Sequence, residues 1–184
     1  RLKLQLAMIN QKELSDKMSK DIDEMEKMLN DYLQFAKNQV QENTTNLNLA
    51  DLFDELKESH KNKNIVLLNM ENIILKGRTS SLKRAFGNII QNGLMYGEKV
   101  SVNVIKSANR ALITFEDNGP GIPEDQYKNV FKPFFRLDKS RSLNQSGVGL
   151  GLAIVEDVIN SHGGNIQLGK GKNNGLLVKI SLPL

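Results

Sequence analysis

The sequence predicts an α+β chain: a two-layer α/β sandwich preceded by part of an antiparallel helical hairpin. Three observations carry that expectation. Residues 1–76 contain neither glycine nor proline, whereas all 14 glycines and all 4 prolines lie between Gly77 and Leu184. A breaker-free stretch can run as long helices, and a glycine-punctuated one needs tight turns or close approach of backbone to a ligand. In the second part, helical and strand-like apolar runs mix, with strands in hairpin-like pairs and no strict βαβ alternation. That favours a sandwich over a doubly wound sheet.

The elements follow in order. Leu2, Leu6 and Ile9 recur at helical spacing, and Leu14, Met18, Ile22, Met25, Leu29, Leu33, Ala36 and Val40 continue it. The polar break Asn10-Gln11-Lys12-Glu13 suits the joint between two antiparallel helices. A stripe this narrow is not stable alone, which favours packing in a bundle with a second copy of the chain over the competing reading of a plain helical spacer. Residues 41–46 read as a linker. A helix is expected over 49–61, with Leu52, Phe53 and Leu56 inward, then short strands over 65–68 and 73–75 and a helix over 78–96. Strands over 100–107 and 111–116 precede a helix beginning near Pro123. A polar segment (137–146), an apolar helix (148–161) ended by Gly163-Gly164, and strands over 166–168 and 176–182 complete the chain.

Composition removes several function classes. With no cysteine there is no disulfide framework and no thiolate metal site. No apolar run is long enough to span a membrane. The start at Arg1 without Met suits a piece of a longer protein. Residues 1–43 carry 7 basic and 8 acidic groups (−1), and residues 44–184 carry 18 and 13 (+5). The basic groups are scattered, without a dense tract or interleaved aromatics, which argues against nucleic acid as a partner.

Four segments carry candidate chemistry. Asn88 and Asn92 lie four apart on the helix from 78, away from the stripe of Leu82, Phe86, Ile89 and Gly93. Two carboxamides so stacked can offer two carbonyl oxygens to one hard cation such as Mg²⁺. By itself, such a pair is more often a solvated face. Glu116-Asp117-Asn118-Gly119-Pro120-Gly121-Ile122-Pro123 follows a strand directly, placing Asp117 where an acceptor could meet an exocyclic amine; a plain turn with Asp as turn former is the competing reading. Ser146-Gly147-Val148-Gly149-Leu150-Gly151-Leu152-Ala153 enters a helix, where alternating glycines let backbone N–H groups approach phosphate. It lacks both the G-x-G-x-x-G and the G-K-[ST] patterns. Phe131-Lys132-Pro133-Phe134-Phe135-Arg136, followed by Lys139 and Arg141, anchors a segment whose basic groups could reach over a polyphosphate, or is simply a surface loop.

Together, in this order and spacing, the four resemble the sensor histidine kinases of two-component systems. Asn88 and Asn92 match the N box, Asp117-x-Gly119-x-Gly121 the first glycine box, Phe131 to Phe134 the F box, and Gly147-x-Gly149-x-Gly151 the second glycine box. Tyr96-Gly97 and residues 150–155 look most like the osmosensor EnvZ and its relatives. The resemblance implies a Bergerat-type (GHKL) ATP-binding sandwich over 44–184. Residues 1–43 then look like part of the dimerisation and phosphoacceptor hairpin.

It also implies roles. Asn92 with Asn88 would handle Mg²⁺ and phosphate and count as catalytic. Asp117 would read the adenine amine, with Tyr96, Gly119, Gly121, Ile122, Phe131 and Arg136 around the nucleotide. Gly147, Val148, Gly149, Leu150 and Gly151 would approach the phosphates. The implied cofactors are ATP and Mg²⁺. The implied partners are a second copy through the N-terminal helices and a response regulator of OmpR-like type. The implied location is the cytoplasmic side of a bacterial inner-membrane protein whose membrane segments lie outside these residues.

Two departures stand out. Met95 occupies a position often basic in the family, so a phosphate contact is lost or falls to Lys99, Arg136 or Arg141. The acceptor histidine is absent, since His60 and His162 both sit at helix ends in structural settings, so the fragment is not expected to phosphorylate itself. Two alternatives remain: a GHKL-type ATPase, against which Asn88 in place of that group's glutamate argues, and a nucleotide-binding dimerisation module without kinase activity, which Met95 favours.

Overall fold

The computed structural model describes residues 42–60, 64–137, 149–172 and 174–184, with isolated helical positions at 16, 18, 19, 22, 23, 25 and 26. Most of the hairpin expected over 1–43, and the polar segment expected over 137–146 except residue 137, lie outside the described residues. The elements are β1 (Thr45–Asn48), α1 (Leu49–Ser59), β2 (Asn64–Met70), β3 (Ile74–Gly77), α2 (Thr79–Tyr96), β4 (Lys99–Ser107), β5 (Arg110–Asp117), α3 (Gly151–Ser161), β6 (Asn165–Lys170) and β7 (Leu176–Pro183). Five strands form one sheet in the order β2-β4-β5-β7-β6, and β1 and β3 form a separate antiparallel ribbon. Only β2 and β4 run parallel. That departs from a pure hairpin arrangement because β3 and α2 form the crossover between them, which parallel neighbours require.

Strand alternation builds the two layers. Val100, Val102 and Val104 of β4, Ala111, Ile113 and Phe115 of β5, and Val178, Ile180 and Leu182 of β7 are all buried. Their neighbours along each strand are half-buried or exposed, as a sheet covered on one face dictates. Against the buried face lie Leu52, Phe53 and Leu56 of α1, Leu82, Phe86, Ile89 and Ile90 of α2, and Val155 and Ile159 of α3. Phe53 stacks on Phe86 with ring centroids 5.1 Å apart, and Phe115 tilts against both at 5.8 and 5.7 Å. Two helices and the central strand thus meet on one aromatic cluster.

Three local expectations needed correction. Thr45 and Asn46, read as linker, belong to β1, where Thr45 opposes Gly77 and Asn46 opposes Lys76. Asn48 then caps α1 by accepting from the Ala50 N–H at 3.0 Å. The helix expected from Pro123 is a single 3₁₀ turn, Glu124–Gln126, followed by successive turns. Its backbone bonds run mainly three residues back, from Gln126 to Pro123, Tyr127 to Glu124, Asn129 to Gln126 and Lys132 to Asn129. Pro133 forbids continuation and biases Lys132 away from helical geometry, leaving too little length to propagate an α-helix. Finally, α1 stops at Ser59, whose hydroxyl donates to the Leu56 carbonyl at 2.8 Å with His60 as C-cap.

Candidate functional site

A cavity of about 650 Å³ opens between α2, the end of β5 with the turn after it, residues 135–137 and the start of α3. Each wall has a sequence cause. The buried stripe of α2 (Leu82, Ala85, Phe86, Ile89, Ile90 and Gly93) holds the helix on the sheet. That fixes the adjoining face, so Asn88, Asn92 and Tyr96, each four residues on, all border the cavity. Asn88 Nδ2 donates to the Gly151 carbonyl at 3.4 Å, leaving its amide oxygen for a ligand. A Cβ at Gly151 would lie 3.4 Å from Asn92 Nδ2 and 4.0 Å from the Asn88 Cβ. The missing side chain is therefore the space between the two carboxamides and the first turn of α3.

That turn has no side-chain cap, Leu150 being its N-cap. Uncapped first-turn N–H groups and the positive end of the helix dipole suit an anion. Gly149 reaches this position with φ +80°, and its carbonyl accepts from the Phe134 N–H at 2.9 Å. Phe134 itself sits at φ +65°, a strained setting for an aromatic residue. A Cβ at Gly149 would come 2.8 Å from the Phe135 carbonyl oxygen, so glycine is required here by both conformation and space.

At the other end stands Asp117. Its Oδ1 accepts from the Gly119 N–H at 2.9 Å and the Leu176 N–H at 3.1 Å, which leaves the acceptor capacity of Oδ2 for a ligand. Burial raises its pKa above the ordinary carboxylate value, assisted by the Glu116 charge and opposed by those two N–H bonds. Gly175 makes the packing possible, since a Cβ there would fall 1.9 Å from the Asp117 carbonyl oxygen. Val100, Phe115, Val130, Ile154, Leu176 and Val178 give this part of the cavity apolar walls. A flat apolar ligand carrying one exocyclic amine fits such a slot, and a polyphosphate fits the carboxamide and helix-terminus end.

Of the residues singled out from sequence, Asn88, Asn92, Tyr96, Asp117, Gly121, Ile122, Arg136, Gly149, Leu150 and Gly151 border the cavity. Gly119 stands behind it, engaged through its N–H with Asp117. Phe131 faces elsewhere: it packs on the main core and lines a second hollow with Tyr127, Lys132 and Glu156, while its neighbour Val130 takes the cavity side. Gly147 and Val148 lie outside the described residues, as do Lys139 and Arg141. Met95 borders the cavity, and so does Arg84, which sequence reading missed although it lies four residues before Asn88; Lys99 does not. Asn118 was also missed. Its Oδ1 accepts from the Glu98 and Lys99 N–H groups at 2.9 Å each and ties the Asp117 turn to the end of α2.

His162 sits at the helix end as expected, as the C-cap of α3, and its two ring bonds are those of a neutral imidazole. Its Nε2 accepts from the Arg78 N–H at 3.0 Å and its Nδ1 donates to the Val158 carbonyl at 2.6 Å. Burial lowers its pKa, with Arg78 adding to that effect while Val158 and Glu42 oppose it.

Among the described residues, no cluster of three or more His, Cys, Asp or Glu side chains is placed to hold a metal, and no helix is long and apolar enough to cross a membrane. A hard cation would therefore draw on carboxamide oxygens together with a ligand's own phosphates, for which Asn88 and Asn92 have the right donor chemistry.

Comparison with known proteins finds sensor histidine kinases among the relatives of this chain. Sensor histidine kinase GtrS of Pseudomonas aeruginosa is 30% identical over 185 residues, taking in 100% of this chain and 38% of that protein. The chain thus spans well under half the length of this curated relative. The solved structure of the mycobacterial sensor histidine kinase MprB matches with a TM-score of 0.65 at 26% identity, over 77% of this chain and 97% of that one. The NMR structure of the histidine kinase domain of the E. coli osmosensor EnvZ matches with a TM-score of 0.59 at 33% identity, over 79% and 92%. Residues 77–184, from the glycine before α2 to the end of β7, match the family of histidine kinase-, DNA gyrase B-, and HSP90-like ATPases, and the chain belongs to that family, with sensor histidine kinases as its relatives.

Proposed function

We propose that residues 44–184 are the catalytic domain of a sensor histidine kinase, binding ATP with Mg²⁺ and presenting the γ-phosphoryl group to a histidine carried on another segment. The observation that carries this reading is the single cavity with Asp117 among apolar walls and with Asn88 and Asn92 against the uncapped start of α3. Asp117 Oδ2 takes the adenine amine while Gly119 and Leu176 hold its other oxygen. Asn88 and Asn92 hold the phosphates through carboxamide oxygens shared with Mg²⁺, which supplies charge neutralisation when bound. Arg84 and Arg136 border the same space and supply positive charge where Met95 cannot. Catalysis rests on positioning and electrostatic stabilisation, as suits phosphoryl transfer.

Among the described residues bordering the cavity, Asp117 is the sole carboxylate, and two backbone N–H groups already occupy one of its oxygens. Asn88 cannot act as a general base for water. This favours transfer to an external imidazole, which carries its own lone pair, over hydrolysis. Neither histidine present suits the acceptor role. Both ring nitrogens of His162 are engaged, and His60 Nδ1 lies 2.8 Å from the Leu56 carbonyl. The chain alone is therefore not expected to autophosphorylate. Met18 and Met25 are 41% and 65% exposed, in keeping with self-association through the N-terminal helical segment. A response regulator of OmpR-like type is the expected downstream partner, and the cytoplasm the expected location.

The test is incubation with γ-labelled ATP and Mg²⁺, with and without an added intact phosphoacceptor hairpin. The hairpin should label, the chain should not, and Asn92→Ala should abolish labelling. An unlabelled hairpin with nucleotide binding intact would overturn the kinase reading.

A further inference from the structure

Helix α2 carries eight of the residues that line the cavity, yet its own sequence gives it a poor start. Its N-cap is Arg78, which makes no side-chain capping bond, and its first turn holds no acidic residue. The cap comes from elsewhere. Glu42, 38 residues before Ser80, accepts the Ser80 N–H on Oε1, and on Oε2 the Ser81 N–H at 3.0 Å and the Ser81 hydroxyl at 2.8 Å. Thr45 and Thr79 add a hydroxyl contact of 3.3 Å. A carboxylate here satisfies otherwise orphaned amides and meets the positive end of the dipole. Because Glu42 precedes β1, the chain entering the domain supplies what α2 lacks.

The opposite side of this turn is pinned to α3. The Arg78 N–H bonds to His162, and the Arg78 guanidinium donates to the Ser161 hydroxyl. At the far end of the same pair, Asn88 reaches Gly151. Helices α2 and α3 are thus joined both at the cavity and at the turn where Glu42 sits.

We propose that Glu42 is a detachable cap, through which the seating of the chain segment preceding the domain is coupled to the nucleotide cavity. Displacing that segment withdraws the carboxylate and loosens the first turn of α2. By reciprocity, a ligand that draws α2 and α3 together strengthens the hold on Glu42 by the same factor. The coupling rests on the nucleotide reading above; the cap itself does not.

Hydrogen exchange on the whole chain tests both, with and without a non-hydrolysable ATP analogue and Mg²⁺. In Glu42→Gln, an amide –NH₂ replaces one carboxylate oxygen and the charge is lost. Exchange at Ser80 and Ser81 should then quicken about fivefold, the usual worth of a lost cap. In the unmodified protein the analogue should slow exchange over residues 43–48; in Glu42→Gln that response should vanish while calorimetry still detects analogue binding. Adding Arg78→Asp to Glu42→Gln supplies a local cap, so protection at Ser80 and Ser81 should return without the response at 43–48. Unchanged exchange at Ser80 and Ser81 in Glu42→Gln overturns the cap. An undiminished response at 43–48 in that variant overturns the coupling. If calorimetry finds no analogue binding to the unmodified protein, the nucleotide reading falls and the coupling with it, while Ser80 and Ser81 still decide the cap.

Discussion

Asp117→Asn separates what the site costs the fold from what it does for the ligand. The substitution keeps an oxygen for the Gly119 and Leu176 N–H groups, so the turn after β5 stays pinned. It removes the charge that burial opposes and replaces the other oxygen with an –NH₂ group. Because the folded pKa of Asp117 is raised, its contribution to stability is present below the ordinary carboxylate value and lost as pH rises through the folded value. The charged form of Asp117 therefore works against the fold, and Asp117→Asn should leave the ligand-free protein as stable as before or more so. Affinity should move the other way. An adenine amine loses a charged acceptor and meets a donor, a penalty of about 3 kcal/mol, or roughly two decades in Kd.

Two measurements check this. Calorimetric titration with ATP analogue and Mg²⁺ gives the affinity, and urea unfolding without nucleotide gives the stability. The original protein adds a linked signature. A donor amine favours the carboxylate, so binding at mildly acidic pH should release protons, visible as a dependence of binding heat on buffer ionisation enthalpy. An affinity change below about threefold, under 1 kcal/mol, would refute the assignment of Asp117 to the amine. A clear fall in ligand-free stability would refute the argument that burial dominates its electrostatics.

Two further outcomes follow from neighbouring geometry. Gly175→Ala places a Cβ 1.9 Å from a backbone carbonyl oxygen, so β7 must move away from Asp117; thermal unfolding should show a loss of about 1–3 kcal/mol, accompanied by weaker nucleotide binding. The His162 pKa is lowered from 6.5, so the folded state binds fewer protons than the unfolded one. Its contribution is complete above that value and is lost as pH falls through the folded pKa. Urea unfolding from about pH 7.5 to about pH 5 should reveal this slope, and His162→Gln should flatten it; an identical slope in the variant would count against His162 as the source.

Much of the architecture was legible because it rests on periodicity and breakers. Valines at alternate positions in 100–104 allow one strand face only, and the stripe on 78–96 fixes which side of α2 meets the sheet. The Asn88–Asn92 spacing puts both carboxamides on the face beside that stripe, and both border the cavity. What stayed hidden depends on contacts between distant segments. Thr45–Asn48 is polar apart from Leu47, and becomes a strand only because β3 offers it a partner. Leu176 and Val178 border the cavity by the same alternation that buries Ile180 and Leu182, so no local signal tells a pocket wall from core. Phe131, expected around the nucleotide, packs on the main core, and its neighbour Val130 borders the cavity instead; which of two adjacent apolar residues turns inward is set by the turns after Pro123, which no periodicity announces.

The positions where local rules are broken form a pattern. Two helices begin without side-chain caps of their own, and one carboxylate is buried against its preference, although the core around them is ordinary. Each breach faces a need that the isolated domain does not have. The open start of α3 suits phosphate, and the half-buried Asp117 suits an amine that would stabilise its charged form. The open start of α2 is filled by Glu42 from the entering chain. A fold selected for stability alone would have placed Asp or Ser at position 78 and closed α2 locally. Leaving that closure to a residue 36 positions earlier makes the first turn of α2 depend on how the preceding segment sits. If the proposed coupling holds, that dependence is the physical route by which motion outside the domain would reach the helix bearing Asn88 and Asn92.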